Sequence, residues 1–80
     1  MLKLLILKHS PDFYLIGNVT ELDEEPSLLI ENCYRVTAEG ALEEFPRFTD
    51  QRDLFLTSDL IFTILDPSAT LADLYKATVG

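Results

Sequence analysis

Residues 14–36 read YLIGNVTELDEEPSLLIENCYRV, two β-rich runs on either side of an acidic turn, Asp23-Glu24-Glu25-Pro26. In the first run Leu15, Gly17, Val19 and Glu21 alternate with Tyr14, Ile16, Asn18 and Thr20, the period of two that a strand requires. In the second, Leu28, Ile30 and Val36 are expected on one face, with Asn32 and Tyr34 between them. Gly17 inside the first run marks a bend or a close backbone approach, which fits a strongly curved sheet. The rest of the chain reads as strands that complete a sheet around this pair.

A strand is expected near residues 2–8. His9-Ser10-Pro11-Asp12 then forms a turn, because Pro fixes φ while Ser and Asp bond their own backbone. The central pair spans roughly 14–21 and 27–37. Ala38-Glu39-Gly40 is a turn signal, and 38–52 as a whole reads as an irregular excursion or an edge strand. Pro46 excludes both a central strand and a helix interior there. Short strands follow near 53–57 and 59–65, with a tight corner at Thr57-Ser58-Asp59. Leu60 to Leu65 is apolar on both faces except at Thr63, which points to a closed barrel with a helix or a neighbouring subunit packed outside it. A helix is expected near 67–77. Asp66 is placed to cap it, Pro67 suits its first position, and Leu71, Leu74 and Tyr75 form one apolar stripe. The fold class is therefore mainly β: five or so short antiparallel strands in one small, strongly bent barrel over residues 1–80, with a C-terminal helix.

A chain of 80 residues buries only about 60% of its unfolded surface, so its own core is marginal. Yet 48% of the residues are apolar. The single cysteine, Cys33, excludes an internal disulfide, and there is no cysteine–histidine zinc pattern. Oligomerisation is the economical source of the missing stability. The apolar start, Met1 to Leu7, is too short for a signal peptide, is followed by Lys8 and lacks a small-residue cleavage site. No segment approaches the roughly 18 apolar residues of a membrane span. These features predict a soluble, cytoplasmic protein with no membrane association. The net charge is −8, and the basic residues Lys3, Lys8, Arg35, Arg47, Arg52 and Lys76 are scattered. A general nucleic-acid footprint is therefore missing, since phosphate neutralisation supplies most of that affinity.

In this order of elements the chain resembles the Sm-like family, small five-stranded barrels that assemble into rings and usually bind RNA. Gly17 is followed by Asp23, then Ser27 and the apolar Leu28-Leu29-Ile30, in the manner of the first Sm motif. Thr57-Ser58, Asp59 and Leu60 to Ile64 follow the order of the second. The chain is also similar to short Sm-like proteins of marine viruses, cyanophages among them, in Phe45-Pro46, Asp66-Pro67 and Leu71…Tyr75. The resemblance implies a homo-oligomeric ring of about five to seven subunits, single-stranded RNA as a partner, and a host-cell cytoplasmic location if the source is viral. The family's pocket asparagine and arginine are matched here by Ser27 and Thr57; arginine stacks on a base and bonds it in plane, and threonine does neither. An alternative reading is thus a ring-forming structural or protein-interaction module without RNA binding. The resemblance further implies that Leu54, Phe55, Leu56, Leu60, Ile61, Phe62 and Ile64 form the contact between subunits.

No catalytic residues, cofactor or metal site are expected. His9, Ser10 and Asp12 hold the residue types of a hydrolase triad, but lie too close in sequence for its geometry and lack an oxyanion glycine. Glu21, Asp23, Glu24 and Glu25 lack calcium-loop spacing and read as a solvated turn. Cys33 reads as a small buried hydrophobe. Phe45-Pro46-Arg47-Phe48…Arg52 combines aromatics that stack on bases with arginines that pair with phosphates, although Asp50 and Asp53 offset both charges. The competing reading is that Phe45 and Phe48 cover the sheet edge. The RNA-contact candidates are therefore Ser27, Asn32, Arg47, Phe48, Arg52, Thr57 and Ser58.

Overall fold

The runs flanking the acidic turn fold as an antiparallel pair, and the computed structural model, which describes residues 1–24 and 27–79, builds everything else onto it. The strands are β1 (Leu2–Leu7), β2 (Ser10–Glu21), β3 (Leu28–Val36), β4 (Leu42–Glu44), β5 (Leu54–Leu56) and β6 (Ile61–Leu65), and α1 (Ala69–Val79) follows. All pairings are antiparallel, in the order β4-β3-β2-β1-β6, with β5 also on β3. The turn before β2 is shorter than expected. Ser10 is already paired with Leu7, because a register irregularity between Ile6 and Leu7 absorbs the corner. The acidic turn's Glu25 and Pro26 lie outside the described residues.

Gly17 sits where β2 crosses β3. A Cβ there would lie 2.6 Å from Ile30 Cγ1 and 2.8 Å from Glu31 O, so only glycine fits without displacing β3. On the opposite strand Asn32 adopts φ +53, a left-handed conformation that asparagine tolerates better than most residues. The β2–β3 register shifts here, from Ile16↔Tyr34 to Asn18↔Glu31, which is a β-bulge. The bulge reverses the side-chain phase of β3. Leu28 and Ile30 are joined in the core by Cys33, and Val36, which strict alternation placed on that face, is only half-buried.

The bulge also divides the outer edge of β3. Leu28–Ile30 pair with β5 and Tyr34–Val36 with β4. Between them, Asn32 N donates to Asp53 Oδ1 at 3.1 Å and Cys33 N to Arg52 O at 2.9 Å. Tyr75 Oη donates to Asn32 O at 2.7 Å, so α1 is pinned to the same point. The backbone groups that a bulge removes from the ladder are thus taken up by the 45–53 loop and the helix.

Among the described residues the fully buried side chains are few: Leu5, Leu15, Ile16, Ile30 and Cys33, with Leu28 and Tyr75 nearly so. Leu7, Phe13, Val19, Phe45, Leu54, Leu56 and Ile64 pack around the central cluster. Phe45 packs edge-on to Phe13 with ring centroids 5.1 Å apart, as a cover for the sheet.

Two sequence expectations are corrected. The sheet is not closed into a barrel: among the described residues β6 bonds only β1, and β4 and β5 bond only β3. A 3₁₀ turn at Ser58–Leu60 carries the chain from β5 across to β1, where Lys8 N donates to Leu60 O at 2.8 Å. Leu60 to Leu65 is consequently not covered on both faces; Leu60, Phe62 and Leu65 are exposed. Nor does Asp66 cap α1. Its carboxylate is 2.6 Å from Lys3 Nζ, and Ser68 Oγ instead accepts from Leu71 N at 3.2 Å. The helix accordingly starts two residues later than expected.

Two measurements test this packing. Gly17→Ala should cost about 1–3 kcal/mol in denaturant unfolding, the usual range for overpacking; an unchanged midpoint would contradict the close approach. Burial pushes the Cys33 thiol from its ordinary 9.0 up to about 12, against the opposing charge of Arg52. Burial, with smaller contributions from Cys33, Tyr34 and Asp53, lifts the Tyr75 phenol from 10.0 to about 12. Both groups stay protonated in the fold at pH values where the unfolded chain releases them, so folding is favoured below their unfolded values and weakens as pH rises through the folded ones. Urea midpoints should therefore hold through neutral pH and fall between about pH 9 and 12, and Cys33 should resist alkylation until the chain unfolds.

Candidate functional site

Two surface regions gather the residues that could meet a partner, and they occupy different clefts. The first is the loop between β4 and β5. Its backbone is fixed by Arg52, whose guanidinium donates to Pro46 O at 3.3 Å and Thr49 O at 2.5 Å and lies 3.6 Å from Glu44. Gln51 adds bonds from its N–H to Thr49 Oγ1 and from Nε2 to Asp53 O. Phe48 stands at the tip with φ +65 and its ring wholly in solvent. The reading in which Phe48 covers the sheet edge is corrected: its left-handed backbone turns the ring outward, and Phe45 alone does the covering.

Both arginines of this loop lie beside carboxylates. Arg47 lies 3.4 Å from Glu43, and the same carboxylate accepts from Arg35 at 2.8 Å. The Arg35 hydrogen bond, helped by the charges of Arg47 and Arg35, holds the Glu43 carboxyl below the usual range. Arg35 is further held by stacking 4.7 Å over the Phe13 ring. Lys3, Arg35, Arg47 and Arg52 thus all have carboxylate partners.

The second region is a cleft of about 380 Å³ between β6 and the ends of β2 and β3. Leu22, Leu28, Ile61, Phe62 and Ile64 supply apolar walls, and Glu21, Ser27 and Ser58 stand among the polar residues. It lies where the sheet fails to close.

The RNA-contact candidates divide between these places. Ser27 and Ser58 come together in the cleft; Arg47, Phe48 and Arg52 come together at the loop. Asn32 sits at the bulge, its backbone N–H and carbonyl both engaged. The Thr57 hydroxyl bonds Asp59 and, ahead of the backbone N–H and the charges of Lys8 and His9, keeps that carboxyl below its ordinary value. No single surface therefore presents all seven. Among the described residues, no group of three or more His, Cys, Asp or Glu is arranged to hold a metal, and no helix is long and apolar enough to cross a membrane.

The interface candidates divide as well. Leu54, Leu56 and Ile64 pack on the core and Ile61 is half-buried, whereas Phe55, Phe62 and Leu60 are 61%, 69% and 43% exposed. Leu65, which was not a candidate, is 43% exposed alongside them. Leu22 of the cleft escaped the sequence reading, and Glu21 was read only as part of a solvated acidic turn, since only the curl of the sheet brings them near β6.

A model described as a family of unknown function, DUF6561, matches residues 1–80, and the chain belongs to that family. No curated protein matches it.

Proposed function

We propose that this DUF6561 protein is a self-assembling, Sm-like module that works through protein–protein contact, its open sheet closing with neighbouring copies into a ring-like barrel assembly in the cytoplasm. The observation that carries this reading is the state of the two sheet edges. β5 and β6 each have one unpaired side among the described residues, and each carries an outward aromatic, Phe55 or Phe62. Unpaired strand edges with apolar side chains are templates for further pairing unless charge or proline blunts them. Neither Leu54–Leu56 nor Ile61–Leu65 contains a charge or a proline.

Magnitudes favour a contact that combines backbone and side chains. Covering the parts of Phe55, Leu60, Phe62 and Leu65 that are still exposed would yield roughly 3–6 kcal/mol if burial were complete. Association costs about 4–15 kcal/mol in lost freedom. The side chains alone reach only the low end of that cost, so a ladder between β5 of one copy and β6 of the next has to supply the rest. The small core supports the same view, since a domain of this size gains stability by assembling.

Sedimentation velocity of the full chain should show a species larger than 9.1 kDa. Phe62→Lys and Phe55→Lys should each shift it toward monomer while leaving the circular dichroism spectrum unchanged. A wild-type monomer across the accessible concentration range would overturn the reading.

A second reading, RNA binding, is favoured by one observation: a solvent-exposed Phe48 ring beside Arg47, the pairing of aromatic and cation that single-stranded sites use. The net charge of −8 and the carboxylates paired to both loop arginines oppose it. Fluorescence anisotropy with uridine- or adenine-rich RNA is expected to show no submicromolar binding at physiological salt. Tight binding lost on Arg47→Ala would make RNA the ligand instead.

A further inference from the structure

Phe48 has no role in the fold. Its ring touches solvent on every side, being 103% exposed relative to a reference residue. Its φ of +65 lies in a region that a bulky side chain enters at a cost on the order of 1–3 kcal/mol. Glycine or asparagine would suit that backbone better. Meanwhile Arg52, Gln51 and Thr49 hold the loop in this one shape. A residue on a fixed loop has already given up the backbone freedom that binding would otherwise remove, leaving only its two side-chain torsions to be ordered.

We infer that Phe48, with Arg47 beside it, is a docking knob that enters the Leu22–Leu28–Phe62 cleft of a second copy of this chain, with Arg47 meeting Glu21 at the rim. This rests on the self-assembly reading and names a contact within it. Three observations lead to a second copy rather than another occupant. The knob and the cleft are separate surfaces that share no lining residue, the loop preceding β5 and the cleft lying between β6 and the ends of β2 and β3. A contact between two different patches is head-to-tail and can repeat from copy to copy, as pairing of the two open edges would. The cleft's apolar walls and its volume of about 380 Å³ leave room for a phenyl ring.

The third observation is charge. The Arg47 side chain is 65% exposed, and its nearest carboxylate, at 3.4 Å, already serves Arg35 at the shorter 2.8 Å. It is the loop cation with an outward face, for Arg52 is turned into its own loop. The cleft rim offers Glu21, which is exposed and, among the described residues, belongs to none of the ion pairs of the fold. On a chain of net charge −8, one cation set beside a protruding aromatic opposite an acid at the cleft matches the two surfaces to each other.

The test is a concentration series by sedimentation on the full chain. Phe48→Ala should raise the concentration of half-association at least about tenfold, the effect of losing a central anchor. Arg47→Glu and Glu21→Arg should each weaken association by a similar factor, and the double variant should return to within about threefold of wild type. All these positions are exposed, so thermal melts at low concentration should agree with wild type. Assembly that survives Phe48→Ala unchanged, or a double variant no better than the worse single one, would overturn the knob while leaving edge pairing intact. A wild-type chain that never associates would overturn both.

Discussion

The meeting of Gly17 with the backbone of β3 at Ile30 and Glu31 is the constraint from which the remaining architecture follows. Because β2 has no side chain at that point, β3 can cross it closely, and the mismatch is taken up by the left-handed Asn32. The bulge cuts the outer edge of β3 in two. One half is left for β4, the other for β5, and the gap between them is filled by Arg52 O, Asp53 and the Tyr75 hydroxyl. The loop that bears Phe48 and the helix that covers the sheet are both anchored at this bulge. A change at Gly17 would therefore reach the loop, the helix and the edge strand together.

What the fold leaves uncovered is as consistent as what it buries. The core is small, and large apolar side chains remain in solvent: Phe55, Leu60, Phe62 and Leu65 on or beside the two open edges, Phe48 at a loop tip, and Met1, Leu74 and Val79 elsewhere. Isolated exposed apolar residues are ordinary, but their concentration on unpaired strands is not. The cations point the other way. Carboxylates hold Lys3, Arg35, Arg47 and Arg52, so the field around an assembled particle would be strongly negative. Such a field favours protein contacts matched residue by residue over general attraction to phosphate.

Much of this was legible in the sequence. The alternation around Gly17 located the central pair, and Pro46 correctly kept residues 45–50 out of any strand while β4 formed as a short edge strand. Leu71 and Tyr75 marked the helix face that packs, whereas Leu74, read on the same stripe, is exposed. The illegible parts depend on relations between distant residues. Periodicity carried Val36 to the core face because a bulge at Asn32 is invisible until β2 is laid against it. Asp66 was a reasonable cap until Lys3, far away in sequence, took its carboxylate at 2.6 Å. The apolar run at Leu60 to Leu65 called for cover on both faces, and within one chain the outer face has none. That last mismatch between sequence and structure is what the proposed self-association would resolve.

The central claim, that β5 and β6 complete their hydrogen bonding in a neighbouring copy, is tested most directly by amide hydrogen exchange at two protein concentrations. Backbone amides in 54–56 and 61–65 that lack a partner within the chain should exchange freely in dilute solution and become protected, by tenfold or more, as concentration rises. Amides in the β2–β3 ladder should be protected equally at both. Edge amides that exchange at the same fast rate at every concentration would contradict the account.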